Sequence, residues 1–210
     1  MSRRKTNRKQ RSGKQRYAIV VDGQTEFWYF QNLKKHENLS IDILPKLPRK
    51  TKLKEQFEEV KEYKDLGYDK VIWLIDFDVV IKEEQERKKS SNSILNQLQH
   101  YLNYAQKHNQ IEIYFNAPCL EFWYLLHFEQ TSKYYPQCDT AAKVLEKKHL
   151  DGYEKTQKYY NKINNDIYKR LKPFLTKARQ NAQLLGDFDI HTPKQAKAEM
   201  YKIFDLLNIT

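Results

Sequence analysis

Cysteine is scarce: Cys119 and Cys138 are the only two in 210 residues, and they carry no CxxC spacing. Neither a zinc site nor a disulfide framework is indicated, and both thiols are expected to be reduced and structural. Long apolar runs are missing as well. No stretch approaches the roughly 18 residues needed to span a bilayer, and no apolar segment follows the basic N-terminus as it would in a secretory leader. A chain without membrane attachment, located in the cytoplasm, is expected. With five glycines the sequence holds no Walker loop and no GxGxxG fingerprint, so the common glycine-rich phosphate cradles are excluded. It has no internal repeat.

Acidic residues are absent from the first sixteen positions, where eight cations stand: Arg3, Arg4, Lys5, Arg8, Lys9, Arg11, Lys14 and Arg16. The formal charge is +11, so the rest of the chain carries only +3. A like-charge block without apolar residues beyond Met1 cannot bury surface and is expected to be a disordered basic tail, 1–16. Such a tail suits a polyanionic partner, or acts as a solubilising leader. The remaining length suffices for one substantial core, read as an α/β core over 17–130 and a helical C-terminal part over 131–210 packed on it.

The stretch Val71-Ile72-Trp73-Leu74-Ile75-Asp76-Phe77-Asp78 joins five consecutive apolar residues to two carboxylates one residue apart. Its length and β-branching suit a strand covered on both faces. If the strand continues through both acids, Asp76 and Asp78 share a face at its carboxyl end, where open α/β sheets bind ligands. Paired anions there are explained by a divalent metal, or by an ordinary strand end with turn-forming Asp residues.

Tyr17 to Val21 reads as an earlier strand, followed by Asp22-Gly23-Gln24-Thr25-Glu26. Gly23 is free to take positive φ in the turn, and Thr25 is a plausible cap of the next helix. Glu26 suits the helix dipole or a site equally. Ile41 to Leu44, running into Pro45 and Pro48, reads as an edge strand. The cations Lys46, Arg49, Lys50, Lys52 and Lys54 beyond it are solvated or contact phosphate. Leu53, Phe57, Val60 and Tyr63 mark a helix ended by Gly67, and Ile94 to His108 another. Lys82 to Ser93, between them, reads as a solvent-facing connector or a mobile flap. Ile111, Ile113 and Phe115 alternate in a strand over 110–115. Pro118 is expected in the first turn of a buried helix, on which the carboxylate Glu121 must be paired, metal-bound or at a crevice rim. His127 reads first as core. Beyond Ser132 no strand is indicated, Pro193 to Leu207 reads as the last helix, and tyrosines interleave with Lys and Arg, which suits unpaired nucleotides or helical packing.

In order and spacing, Val20-Val21-Asp22-Gly23-Gln24-Thr25-Glu26, the Trp73 to Asp78 run, Asn116-Ala117-Pro118-Cys119-Leu120-Glu121-Phe122-Trp123 with Leu126-His127-Phe128, and Tyr153-Glu154-Lys155 resemble the RloB-like family of bacterial restriction and phage-defence loci. That resemblance implies a topoisomerase-primase (TOPRIM)-like α/β fold with a mainly parallel sheet, in which an acid after the first strand and a DxD after a later one hold Mg²⁺ or Mn²⁺. On this chain the metal ligands would be Asp22, Asp76 and Asp78, with Glu121, Lys155 and Glu26 as catalytic candidates. Glu121 and Lys155 resemble the later acid and lysine of two-metal TOPRIM nucleases. The implied activity is a metal-dependent nuclease in anti-phage defence, acting on nucleic acid with RNA or tRNA ahead of DNA, and a partner protein of the same locus is implied too. The alternative is a non-catalytic nucleic-acid-binding or regulatory module. The family's first motif usually begins Glu-Gly, and Asp22-Gly23 departs from it by one methylene.

Overall fold

A computed structural model describes residues 15–21, 23–44, 52–88 and 91–209. The chain runs β1 (Tyr17–Val20), α1 (Gln24–His36), β2 (Ile41–Leu44), α2 (Leu53–Asp65), β3 (Lys70–Asp76), α3 (Phe77–Glu86), α4 (Ile94–Gln106) and β4 (Ile111–Ala117). α5 (Leu120–Leu126) follows, and the C-terminal part adds α6 (Cys138–Lys148), α7 (Gln157–Tyr160), α8 (Ile167–Leu171), a 3-10 turn, α9 (Leu175–Leu185), β5 (Lys197–Ala198) and α10 (Met200–Leu206). The result is an α/β protein with a mostly parallel five-stranded sheet in the order β2-β1-β3-β4-β5. The β2, β1, β3 and β4 pairings are parallel and β5 is antiparallel to β4.

Period-two alternation sorts the strand side chains into two cores. Ala18, Val20, Val71, Trp73 and Ile75 face a layer closed by Leu53, Phe57 and Val60 of α2 and Leu98 of α4. Ile19, Val21, Ile72 and Leu74 face the opposite layer, with α1, α5 and the C-terminal helices. Both faces are covered, which is why the β3 run is continuously apolar; each such side chain stabilises by about 1.5–3 kcal/mol on burial. Because β2 and β3 flank β1 on opposite sides, the direction of winding reverses between β1 and β3, and their carboxyl ends open on one crevice.

Several expectations are corrected. The 82–93 connector is in part helix: α3 starts directly after β3 and buries Phe77 and Val80. Residues 197–198 form β5, and the last helix starts only at Met200. Glu199 extends that edge, since its N–H donates to the Phe115 carbonyl (2.8 Å) and its carboxylate accepts from the Phe115 N–H (3.0 Å). A two-residue strand is too short to leave a periodic signal. Pro118 precedes α5 after a cis Ala117–Pro118 peptide and is not in the helix. Arg16 belongs to the folded part, its N–H bonded to Asp69 (2.6 Å) and its guanidinium 4.5 Å over Tyr68. Residues 1–14 of the basic tail, and Lys46, Arg49 and Lys50, lie outside the described residues. Among the described residues no helix is long and apolar enough to cross a membrane.

Candidate metal centre

Asp76 is the last residue of β3 and lies beside Asn116 of β4 in register. Its buried carboxylate accepts from Asn116 Nδ2 (3.2 Å) and from the backbone N–H of Leu120 (3.0 Å), so the ends of β3, β4 and α5 meet on it. The chain then turns at once into α3. Asp78 therefore comes from the first turn of a helix and not from the strand, and the expected alternation on one strand does not apply. A second tie holds the turn: the Asp78 N–H donates to the Pro118 carbonyl (3.0 Å).

Glu121 is 2% exposed on α5, and it is paired as its burial requires. Lys155 Nζ stands 2.9 Å from Glu121 Oε1, and the Tyr153 hydroxyl donates to the same oxygen at 2.9 Å. Tyr153 in turn shares a 2.7 Å hydrogen bond with the buried Tyr160 hydroxyl. Burial alone would lower the Lys155 ammonium, but Glu121 outweighs it, and Asp76 and Glu26 add to the rise. For Asp78, burial first and the Glu121 charge second push the carboxyl up to about 6, against the opposing pull of Lys155. The hydrogen bonds from the Leu120 N–H to Asp76 and from the Asp78 N–H to the Pro118 carbonyl set both acids beside the start of α5, which carries Glu121 and its partner Lys155.

Glu26 is buried in the first turn of α1, and both its oxygens accept from Thr25 Oγ1 (3.1 and 3.0 Å). Thr25 thus serves Glu26 and does not cap the helix, whose cap position is Gly23. Gly23 is extended (φ −116°), so positive φ is not its reason. Space is: a Cβ there would lie 2.0 Å from Glu26 Oε2. Asp22 lies outside the described residues.

Cys119 and Cys138, expected as separate reduced thiols, are joined in a disulfide where the starts of α5 and α6 meet. Cys138 Sγ is 3.0 Å from Asp78 Oδ2. Cys119, Glu121 and Cys138 offer three donor atoms within 4.8 Å of one another; no trio from Glu26, Asp76 and Asp78 is that close among the described residues. Oxidised sulfurs present no thiolate, which leaves Glu121 as the one donor of that trio suited to Mg²⁺ or Mn²⁺, with the Asp78 carboxylate beside Cys138 as a second hard oxygen. The crowding that lifts Asp78 is what a dication relieves.

His127 lies in the core, as expected. It is fully buried, its Nδ1 pairs with the Trp123 carbonyl (3.0 Å), and burial lowers it to about 4. Sequence reasoning assigned no role to Asn116 or Tyr153, which orient Asp76 and Glu121. The spacing Tyr153-x-Lys155 was the available signal, because both side chains meet one carboxylate oxygen.

Comparison with protein-family models matches residues 17–207 to the family described as RloB-like protein. No curated protein and no solved structure matches the chain.

Proposed function

This chain belongs to the RloB-like family, and from that premise we propose that it is a metal-dependent phosphodiesterase acting on nucleic acid, with RNA or tRNA ahead of DNA, in anti-phage defence. The observation that carries the reading is that Asp76, at the carboxyl end of β3, and Asp78, in the first turn of α3, are both tied by hydrogen bonds to the start of α5, the helix whose buried Glu121 is paired with Lys155. A mostly parallel sheet with Asp76 at the end of β3 also supports the TOPRIM-like assignment.

In this reading Asp22, Asp76 and Asp78 would hold Mg²⁺ or Mn²⁺, and the ion would supply an activated water and charge to steady the phosphate. Lys155, fixed by Glu121, keeps a positive charge beside the phosphate and offsets charge developing on the leaving oxygen. Glu121, its orientation set by Tyr153, would take a proton or hold a second ion. Buried β3 and α5 hold these groups on rigid elements, and Asn116 keeps Asp76 from rotating. The basic tail and loop cations engage the polyanion, and a protein of the same locus is a proposed partner.

The test is cleavage of total RNA, tRNA and duplex DNA with and without Mg²⁺. The enzyme reading requires Mg²⁺-stimulated cutting that Asp76→Asn abolishes with binding intact. EDTA-insensitive binding without cutting assigns the chain instead to the non-catalytic class, the reading that Asp22 in place of Glu favours. The pair Asp22→Ala and Asp22→Glu then decides the first-strand acid: loss in the first and retention in the second is expected.

A further inference from the structure

A cleft of about 670 Å³ on the C-terminal part is lined by aromatics, cations and amides. Its lining includes Phe128 and His149, whose rings lie 3° from parallel with centroids 4.8 Å apart. Phe174 stands 5.2 Å from Phe128 and is 43% exposed, an unusual amount of open ring for a large apolar side chain. Tyr159 forms a wall, and the Arg170 guanidinium lies 4.2 Å over its ring, held by a 2.8 Å bond from Nε to the Asn165 carbonyl. Lys162 belongs both to this cleft and to a neighbouring groove that contains Lys158 and Ile163, the latter 86% exposed. An open Phe174 ring beside the held Arg170 and the exposed Lys162 matches an unpaired base on a phosphate backbone, whereas the bases inside a duplex are already stacked on one another and small anions leave the ring unused.

We propose that this cleft is a stacking subsite for an unpaired nucleotide of single-stranded RNA. The sugar preference comes from Asp151, an exposed carboxylate on the same cleft. It repels phosphate and finds no donor on deoxyribose, but accepts a hydrogen bond from a ribose 2′-hydroxyl. The cleft adjoins the acidic centre through aromatic contact. The Tyr159 ring packs edge-on to Tyr153 at 5.4 Å, and Tyr153 donates to Glu121. Its role in presenting a flanking nucleotide to that centre rests on the nuclease reading; the stacking itself does not.

The experiment measures fluorescence polarisation of a labelled single-stranded RNA with the full chain in EDTA, beside DNA of the same sequence and the RNA duplex. Single-stranded RNA is expected to bind several-fold tighter than either. Phe174→Ser is expected to weaken it about tenfold, with Phe174→Tyr near wild type. Lys162→Ala is expected to reduce the salt slope by about one ion. RNA binding indifferent to Phe174→Ser, equal affinity for single-stranded DNA, or preference for duplex overturns the proposal, as does competition by an acidic peptide but not by unlabelled RNA. A chain that binds as expected yet cuts nothing with Mg²⁺ retains the subsite and loses the nuclease reading. One that cuts but ignores Phe174→Ser does the reverse.

Discussion

Replacing Asp78 by Asn is expected to stabilise the metal-free protein while removing metal-dependent cleavage. The Asp78 carboxyl sits in the first turn of α3 against Glu121, and burial and that second charge lift it from 3.8 to about 6. A folded value above the unfolded one means the native state binds the proton more readily, so it is the ionised form that costs. That cost is present in full above the folded value and disappears as pH falls below the unfolded one. A shift of about 2 units at about 1.4 kcal/mol each sets a ceiling near 3 kcal/mol, and an effective dielectric above that of a dry interior puts the expected gain at about 1–3 kcal/mol. For a chain of this size the melting temperature should rise by about 2–10 °C in EDTA near neutral pH. Mg²⁺ should then raise the melting temperature of the wild type and leave Asp78→Asn unmoved, since only a ligand that binds the native state stabilises it. Differential scanning fluorimetry with and without EDTA reads both. An Asn variant that melts at or below wild type in EDTA refutes the crowding argument. Equal Mg²⁺ shifts in the two proteins refute the ligand role.

Gly23→Ala should displace the Glu26 carboxylate, because the new Cβ would stand 2.0 Å from Oε2; since that oxygen ends a flexible side chain, a loss of no more than about 1 kcal/mol in chemical denaturation is expected, vanishing in a Glu26→Ala background. His127, held near 4 by burial, stays neutral in the native state while the unfolded chain protonates below about 6.5. Stability should therefore be lost as pH falls through that window, by about 2 kcal/mol at pH near 5. His127→Phe should show a shallower pH dependence of its urea midpoint, and parallel curves for the two proteins would count against a neutral buried imidazole. Reduction of the Cys119–Cys138 bridge, which spans 19 residues, should cost about 3 kcal/mol. Excess dithiol should lower the melting temperature of wild type but not of Cys119→Ser, and a thiol count of two in the untreated denatured chain would contradict the pairing.

Local pattern determined much of this protein. The runs at 17–21, 41–44, 70–76 and 110–115 became strands within one or two residues, because side-chain alternation and apolar content depend on near neighbours. The prolines after Leu44 marked β2 as an edge, and Gly67 (φ 79°) ended α2. Asp76 at a strand end was legible for the same reason. Packing decided the rest. Whether β3 carried on through Asp78 depended on Phe77, which finds its place in the core as the opening residue of α3 and so turns Asp78 toward Glu121. The pairing of Cys119 with Cys138, and of Glu121 with Tyr153 and Lys155 over thirty residues away, arises where α5 is enclosed by the helices that follow it. No periodicity encodes such meetings, since each partner looks like an ordinary surface or core residue until the sheet brings their elements together. Gly23 carries the same lesson at short range: the turn was readable, but that the buried carboxylate of Glu26 lies where a Cβ would stand was not.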